Sequence, residues 1–191
     1  RLILEGKRQG DDYERPAADF YRVNTTTGER TLMFKGQLTG AGTLGISPDG
    51  KTFLYWKDNR FQAYDLDSGA STTLGGTRGP SFVDMEYDHP GPKPSYGIAG
   101  FTVDGKAAIV QQRYDLWLMP LDGSDARNLT NGFGTKNEVR FRYVRTAPPD
   151  PDAPSGGGGR GRGAGPGQTI DLSKPITLSA YGEYTKKAGF Y

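Results

Sequence analysis

Ser47-Pro48-Asp49-Gly50-Lys51-Thr52-Phe53-Leu54-Tyr55-Trp56-Lys57 decides the fold, because its opening returns 55 residues later as Thr102-Val103-Asp104-Gly105-Lys106. The correspondence runs on without a gap: Leu44 falls on Ala99, Ile46 on Phe101, Phe61 on Leu116, Leu66 on Leu121, Asp67 on Asp122 and Leu74 on Leu129. A unit of strand, turn, strand, turn, strand that recurs at a fixed period marks a chain built by copying one sheet.

Within the first copy, residues 51–57 and 60–65 are rich in aromatic and apolar side chains and are separated by the turn-forming pair Asp58-Asn59,. Asp49-Gly50 predicts a further hairpin, with a primed turn that takes positive φ at both central residues. Asp67-Ser68-Gly69 then breaks the chain. The expected strands are 44–47, 52–57, 61–65 and 71–74, a four-stranded antiparallel meander. The second copy predicts strands at 98–103, 107–113, 116–121 and 126–129.

Side chains alternate across a strand, so Phe53 and Tyr55 point one way while Leu54 and Trp56 point the other; Leu116 and Leu118 likewise oppose Trp117 and Met119. Both faces of each sheet therefore want cover. A sandwich sheet commonly wets one face, whereas a propeller blade is stacked between two neighbours. Upstream, residues 20–28 and Met33 align with 61–69 and Leu74 at an offset of 41, the spacing of a unit without the long loop 75–97. Downstream, 139–144, 175–178 and 189–191 read as pieces of further strands. The expected fold is all-β: a partial β-propeller of four-stranded antiparallel blades, one domain over residues 1–191. Its blades fall near 1–37 (incomplete), 44–76, 98–132 and 138–191 (incomplete). The chain reads as a fragment of a longer polypeptide, with its two outermost faces uncovered.

Composition agrees with many short strands and turns, with 34% hydrophobic residues beside 29 Gly and 13 Pro,. A net charge of +2 gives no argument for nucleic-acid partners,. No apolar run is long enough to span a bilayer as a helix. The absence of cysteine excludes disulfides and thiolate metal sites,. Residues 147–168 change character, with Pro148-Pro149-Asp150-Pro151-Asp152 followed by Gly156 to Gly159 and Arg160-Gly161-Arg162-Gly163. Too little apolar surface is present there to offset the entropy of ordering, which predicts a flexible insertion between two strands.

Several motifs tempt and fail on context. Residues 45–52 spell the phosphate-loop pattern G-x-x-x-x-G-K-[ST], but that loop works by leading into a helix, and Phe53-Leu54-Tyr55-Trp56 predicts a strand. The second copy puts Ala107 where a magnesium-ligating hydroxyl is needed. Residues 40–45 and 156–161 both spell G-x-G-x-x-G without the strand-turn-helix setting that binds a dinucleotide. Asp65-Leu66-Asp67-Ser68-Gly69 begins like a calcium loop but lacks the later ligands, and reads as a turn. His89 is the one histidine and sits in a loop beside Glu86, Asp88 and Pro90. Arg160 to Gly163 carries no interleaved ring for nucleobase stacking. No H-E-x-x-H or G-x-S-x-G pattern occurs, so neither a zinc peptidase nor a serine hydrolase site can be assembled. No catalytic, cofactor-binding or metal-ligating residue is assigned, and no cofactor is expected.

The S-P-D-G-K opening, the Asp115-Leu116-Trp117-Leu118 strand and the Leu129-Thr130-Asn131-Gly132 close resemble repeats shared by TolB-type propellers and prolyl oligopeptidase (S9) serine peptidases. The closing segment from Lys174-Pro175-Ile176-Thr177-Leu178 to Lys187-Ala188-Gly189-Phe190-Tyr191 resembles a propeller segment of large secreted bacterial S9-like peptidases. That resemblance implies a secreted or periplasmic setting and a catalytic α/β-hydrolase domain C-terminal to the propeller. It also implies a peptide substrate and a role for this segment in capping the hydrolase and restricting large substrates. The family's catalytic motif has no counterpart here, so no functional residue carries over. A TolB-type propeller that docks protein partners without enzymatic activity stays open as the alternative.

Overall fold

Four consecutive residues, Phe53, Leu54, Tyr55 and Trp56, are buried, and the fold follows from how a single strand achieves that. In the computed structural model the described residues are 2–7, 17–40, 43–76, 79–146 and 168–191. The first antiparallel sheet runs β1 (Leu2–Lys7), β2 (Ala17–Val23), β3 (Arg30–Leu38). The second is an antiparallel meander of β4 (Thr43–Ile46), β5 (Thr52–Lys57), β6 (Arg60–Asp65) and β7 (Ser71–Thr73). The third repeats it with β8 (Ile98–Thr102), β9 (Ala107–Gln111), β10 (Leu116–Pro120) and β11 (Arg127–Asn128). After a short helix α1 (Phe133–Asn137), β12 (Val139–Val144) begins the fourth sheet. Past the insertion, β13 (Thr169–Ile170) returns to the third sheet, and β14 (Thr177–Gly182) and β15 (Ala188–Phe190) complete the fourth in the order β12-β14-β15.

The protein is thus mostly β, built from several antiparallel sheets. Alternation along β5 divides its side chains between two cores. Phe53 and Tyr55 pack with Phe20, Phe34 and Leu66, towards the first sheet. Leu54 and Trp56 pack with Phe82, Phe101, Val110 and Met119, towards the third. In the third sheet Ala108 and Val110 face back to the second, while Ala99 and Ile109 meet Ile170, Tyr143 and Ile176 on the far side. Trp117 and Met119 lie on one face and Leu118 on the other, as alternation requires,. Burial of each such large side chain contributes roughly 1.5–3 kcal/mol. At the last sheet Phe190 is 75% exposed, and Tyr184, in the turn between β14 and β15, is 77% exposed.

The two copies share more than their strands. In both, the first strand carries a bulge at the equivalent place, between Thr43 and Gly45 and between Ile98 and Gly100. In both, the turn is tied by its own side chains: Ser47 Oγ donates to Asp49 Oδ1 at 2.6 Å, and Thr102 Oγ1 to Asp104 Oδ1 at 2.6 Å. The backbone N–H of Lys51 and of Lys106 each donate to that same carboxylate oxygen.

This geometry corrects the primed turn expected at Asp49-Gly50. Gly50 N–H donates to the Ser47 carbonyl at 2.8 Å, so Pro48 and Asp49 are the central pair, and only Gly50 has positive φ, at 70°. Proline cannot adopt positive φ, and its ring presets the ordinary type I geometry, with glycine left to take the left-handed step. The primed turn lies instead at Asp58-Asn59, with φ of 51° and 59° and Lys57 directly opposite Arg60,.

Two elements depart from the expected meanders. Helix α1 was not anticipated, and neither was β13, which pairs parallel to β8 with Thr169 opposite Phe101. The expected strand at 175–178 begins and ends later, as β14 (Thr177–Gly182). The insertion read at 147–168 lies outside the described residues except for Gln168, whose carbonyl accepts from Phe101 N–H at 2.8 Å.

Candidate functional site

Consecutive strands of a meander alternate in direction, so the β5-β6, β9-β10 and β14-β15 turns gather at one end of the stack, joined there by the loop 79–97. Two features occupy that end. The first is charged and lies between the third and fourth sheets. Glu183, just past β14, accepts from Arg140 Nη2 at 2.6 Å through Oε1, and from Arg113 Nη2 at 3.0 Å and the Tyr114 hydroxyl at 2.8 Å through Oε2. Glu86, on the loop 79–97, approaches Arg140 at 3.4 Å and Arg113 at 3.6 Å.

The chemistry of this cluster follows from its hydrogen bonds. The Arg140 bond, backed by Tyr114 and Arg113, holds the Glu183 carboxyl below its ordinary value despite the opposing effect of burial,. The Tyr114 phenol is pushed up to about 12 by partial burial and by its bond to that carboxylate. Arg142 is pulled down to about 10 by burial and the neighbouring Arg140 charge, and donates to the carbonyls of Gln112, Arg113 and Phe141. At neutral pH the cluster is therefore a fixed set of ions. A carboxylate whose two oxygens already serve three donors is a poor general base. The arrangement clamps two sheets together.

Beside it, Asp115 is fully buried and equally committed. Its Oδ1 accepts from Thr130 Oγ1 at 2.6 Å and Gly134 N–H at 2.9 Å, and its Oδ2 from the Thr135 N–H at 3.0 Å and hydroxyl at 2.5 Å. Burial alone would raise its pKa, but these bonds outweigh burial and hold it below the ordinary carboxylate value. Asp115 fastens the start of β10 to α1.

The second feature is a groove of about 680 Å³ between the C-terminal end of β3, the Asp58-Asn59 turn and the loop 79–97. Its lining includes Leu38, Val83, Met85 and Pro92 as well as Lys35, Lys57 and Lys93. Trp56 lies against it, with its indole N–H donating to the Lys93 carbonyl at 3.1 Å.

The tempting motifs resolve into local structure. Gly50 and Lys51 precede β5, a strand, where a phosphate loop needs a helix,. Residues 40–45 lead into β4, although Ala41 and Gly42 lie outside the described residues. The glycine pattern at 156–161 and the run Arg160 to Gly163 also lie outside them. Asp65 Oδ1 accepts from the N–H groups of Asp67 and Ser68, which makes residues 65–69 the turn between β6 and β7. His89 is exposed in the loop 79–97, its ring 5.0 Å from that of Tyr87. Among the described residues no group of three or more His, Asp or Glu could hold a metal ion, and no helix is long and apolar enough to cross a membrane.

The sequence reading assigned no site role to any residue of these two features. A signal for them did exist. The repeat offset places Asp58-Asn59 on Arg113-Tyr114, so groove and clamp occupy the same turn in successive copies, filled with different chemistry. No protein-family model matches the sequence, and no curated protein matches it.

Proposed function

We propose that the chain is an arc of a β-propeller that works as the non-catalytic cap of an α/β-hydrolase domain, in a serine peptidase of the prolyl oligopeptidase (S9) type. The observation that carries this reading is the stacking. Apart from β13, which returns to the third sheet, the sheets follow one another in chain order, and the second and third are each covered by a core on both faces. Blades in a ring are buried in this way, whereas a two-sheet sandwich buries each sheet on its inner face. The resemblance of the closing segment, residues 174–191, supports the peptidase over a free-standing binding propeller. On this reading the chain's partner is the hydrolase domain of the parent protein, and the route of a peptide substrate passes the cap.

The test uses the parent protein. It is expected to react covalently with a fluorophosphonate probe, and to cleave a short peptide much faster than the same sequence held within a folded protein, because the cap admits only narrow chains. Failure to label overturns the peptidase reading and leaves a protein-binding propeller of TolB type. Labelling with equal cleavage of both substrates overturns the gating role.

A further inference from the structure

The groove between β3, the Asp58-Asn59 turn and the loop 79–97 takes no part in the clamp at Glu183, and the capping role does not use it. Its volume of about 680 Å³ falls within the range of ligand pockets, roughly 300–1,000 Å³. Two chemistries line it. Leu38, Val83, Met85 and Pro92 provide apolar surface, and Met85 is 68% exposed there, an adaptable side chain placed against solvent,. Lys35, Lys57 and Lys93 provide three cations against the single anion Asp58.

The lysines come from three separate segments: Lys35 from β3, Lys57 from the end of β5, and Lys93 from the loop 79–97. They face one groove from three elements, so charge complementarity favours a ligand that carries more than one negative charge. The apolar lining beside them asks for bulky apolar groups in the same ligand. An extended peptide meets that description, because successive side chains project to opposite sides and every second one can share a chemistry. The polar residues Asn59 and Ser81 also line the groove, which suits a backbone better than a hydrocarbon tail, while Gln37 is buried with its side-chain amide donating to the Trp56 carbonyl.

We infer that this groove binds an extended peptide segment in which acidic residues alternate with bulky apolar ones. The site goes beyond the capping role and stands or falls independently of it, since it lies wholly within this chain. The lysines steer and orient the segment, with an attraction that weakens as salt rises. The apolar lining and Met85 supply the burial.

Trp56 offers a readout, because its indole is tied to the Lys93 carbonyl at the groove wall. In a Trp117→Phe background it is the only tryptophan, the chain having two. The probes are a blocked hexapeptide of alternating glutamate and leucine and its lysine-leucine counterpart, titrated against the full chain by Trp56 emission and by calorimetry. The acidic peptide is expected to bind at least about tenfold more tightly than the basic one, a gap equivalent to about 1.4 kcal/mol. The double substitution Lys35→Glu with Lys57→Glu, at two exposed positions, is expected to reverse that preference, with circular dichroism showing the sheets intact. Met85→Asp is expected to weaken the acidic peptide by about tenfold through charge repulsion and lost apolar contact. Laurate, an anion with a hydrocarbon tail and no backbone, is expected not to displace the peptide. Equal binding of the two peptides, indifference to the lysine reversal or to Met85→Asp, or displacement by laurate would each overturn the proposal.

Discussion

Glu183 illustrates how a single residue's environment fixes its role. Three donors hold its carboxylate, which is only 17% exposed, so the ionised form is favoured in the folded state. A carboxyl whose folded pKa is depressed contributes stability above its unfolded value, and that contribution is lost as pH falls through the folded value. For Glu183 the loss belongs below the ordinary glutamate value of 4.5. Glu183→Gln is expected to destabilise the protein by roughly 1 kcal/mol at neutral pH, midway between an exposed ion pair and a well-made charged hydrogen bond. Melting temperatures of the two proteins should then converge as pH falls below the ordinary glutamate value and through the depressed folded one,. A difference that stays constant over that range would show that the carboxylate's charge is not what the clamp uses. Nothing in the sequence around Glu183 announces this role, because Arg113 and Arg140 lie 70 and 43 positions away. By contrast, the turn carboxylates Asp49 and Asp104 find their partners within two residues on either side, so the turn itself was legible from local sequence although its primed type was not borne out.

At the scale of elements, the repeat fixes the meanders, and the close approach of β13 modifies one of them. Gly100 sits at the bulge of β8 with φ of 155°, and a Cβ there would lie 2.5 Å from the Gln168 carbonyl oxygen. That oxygen is backbone and accepts from Phe101 N–H, so it cannot swing aside as a side chain would. Gly100→Ala is expected to cost roughly 1–3 kcal/mol, the range for overpacking at a tight site. It should also speed hydrogen exchange at the Phe101 amide. Gly189→Ala, where nothing lies within 4 Å of the added Cβ, is the control and should change stability by less than about 0.5 kcal/mol. Comparable stability losses in the two variants would remove the argument from close approach. The sequence could not supply β13, because a two-residue strand carries no periodicity to read. Nor could it supply α1, whose five residues include Gly134 and whose anchor, Asp115, is set by tertiary contacts.

At the scale of the whole molecule, the stack makes each interior sheet depend on both neighbours. Phe53 and Leu54 are adjacent in sequence, buried to 3% and 0% exposure, and belong to different cores. Phe53→Ala and Leu54→Ala are each expected to destabilise by about 2–5 kcal/mol, measured by chemical denaturation. A near-neutral result for either would mean that one face of the second sheet is not a core. The two-sided burial was readable in advance, because four consecutive large apolar residues in a strand cannot all be hidden by covering one face. Strand positions, both meanders and the local turn chemistry were likewise set by residues close together in the chain, where alternation and backbone preference act directly. The clamp at Glu183, the lysine-lined groove, the return of β13 and the anchoring of α1 were decided only by tertiary structure. Each depends on bringing together residues from different sheets, and long-range juxtaposition leaves no period or local propensity in the sequence to read.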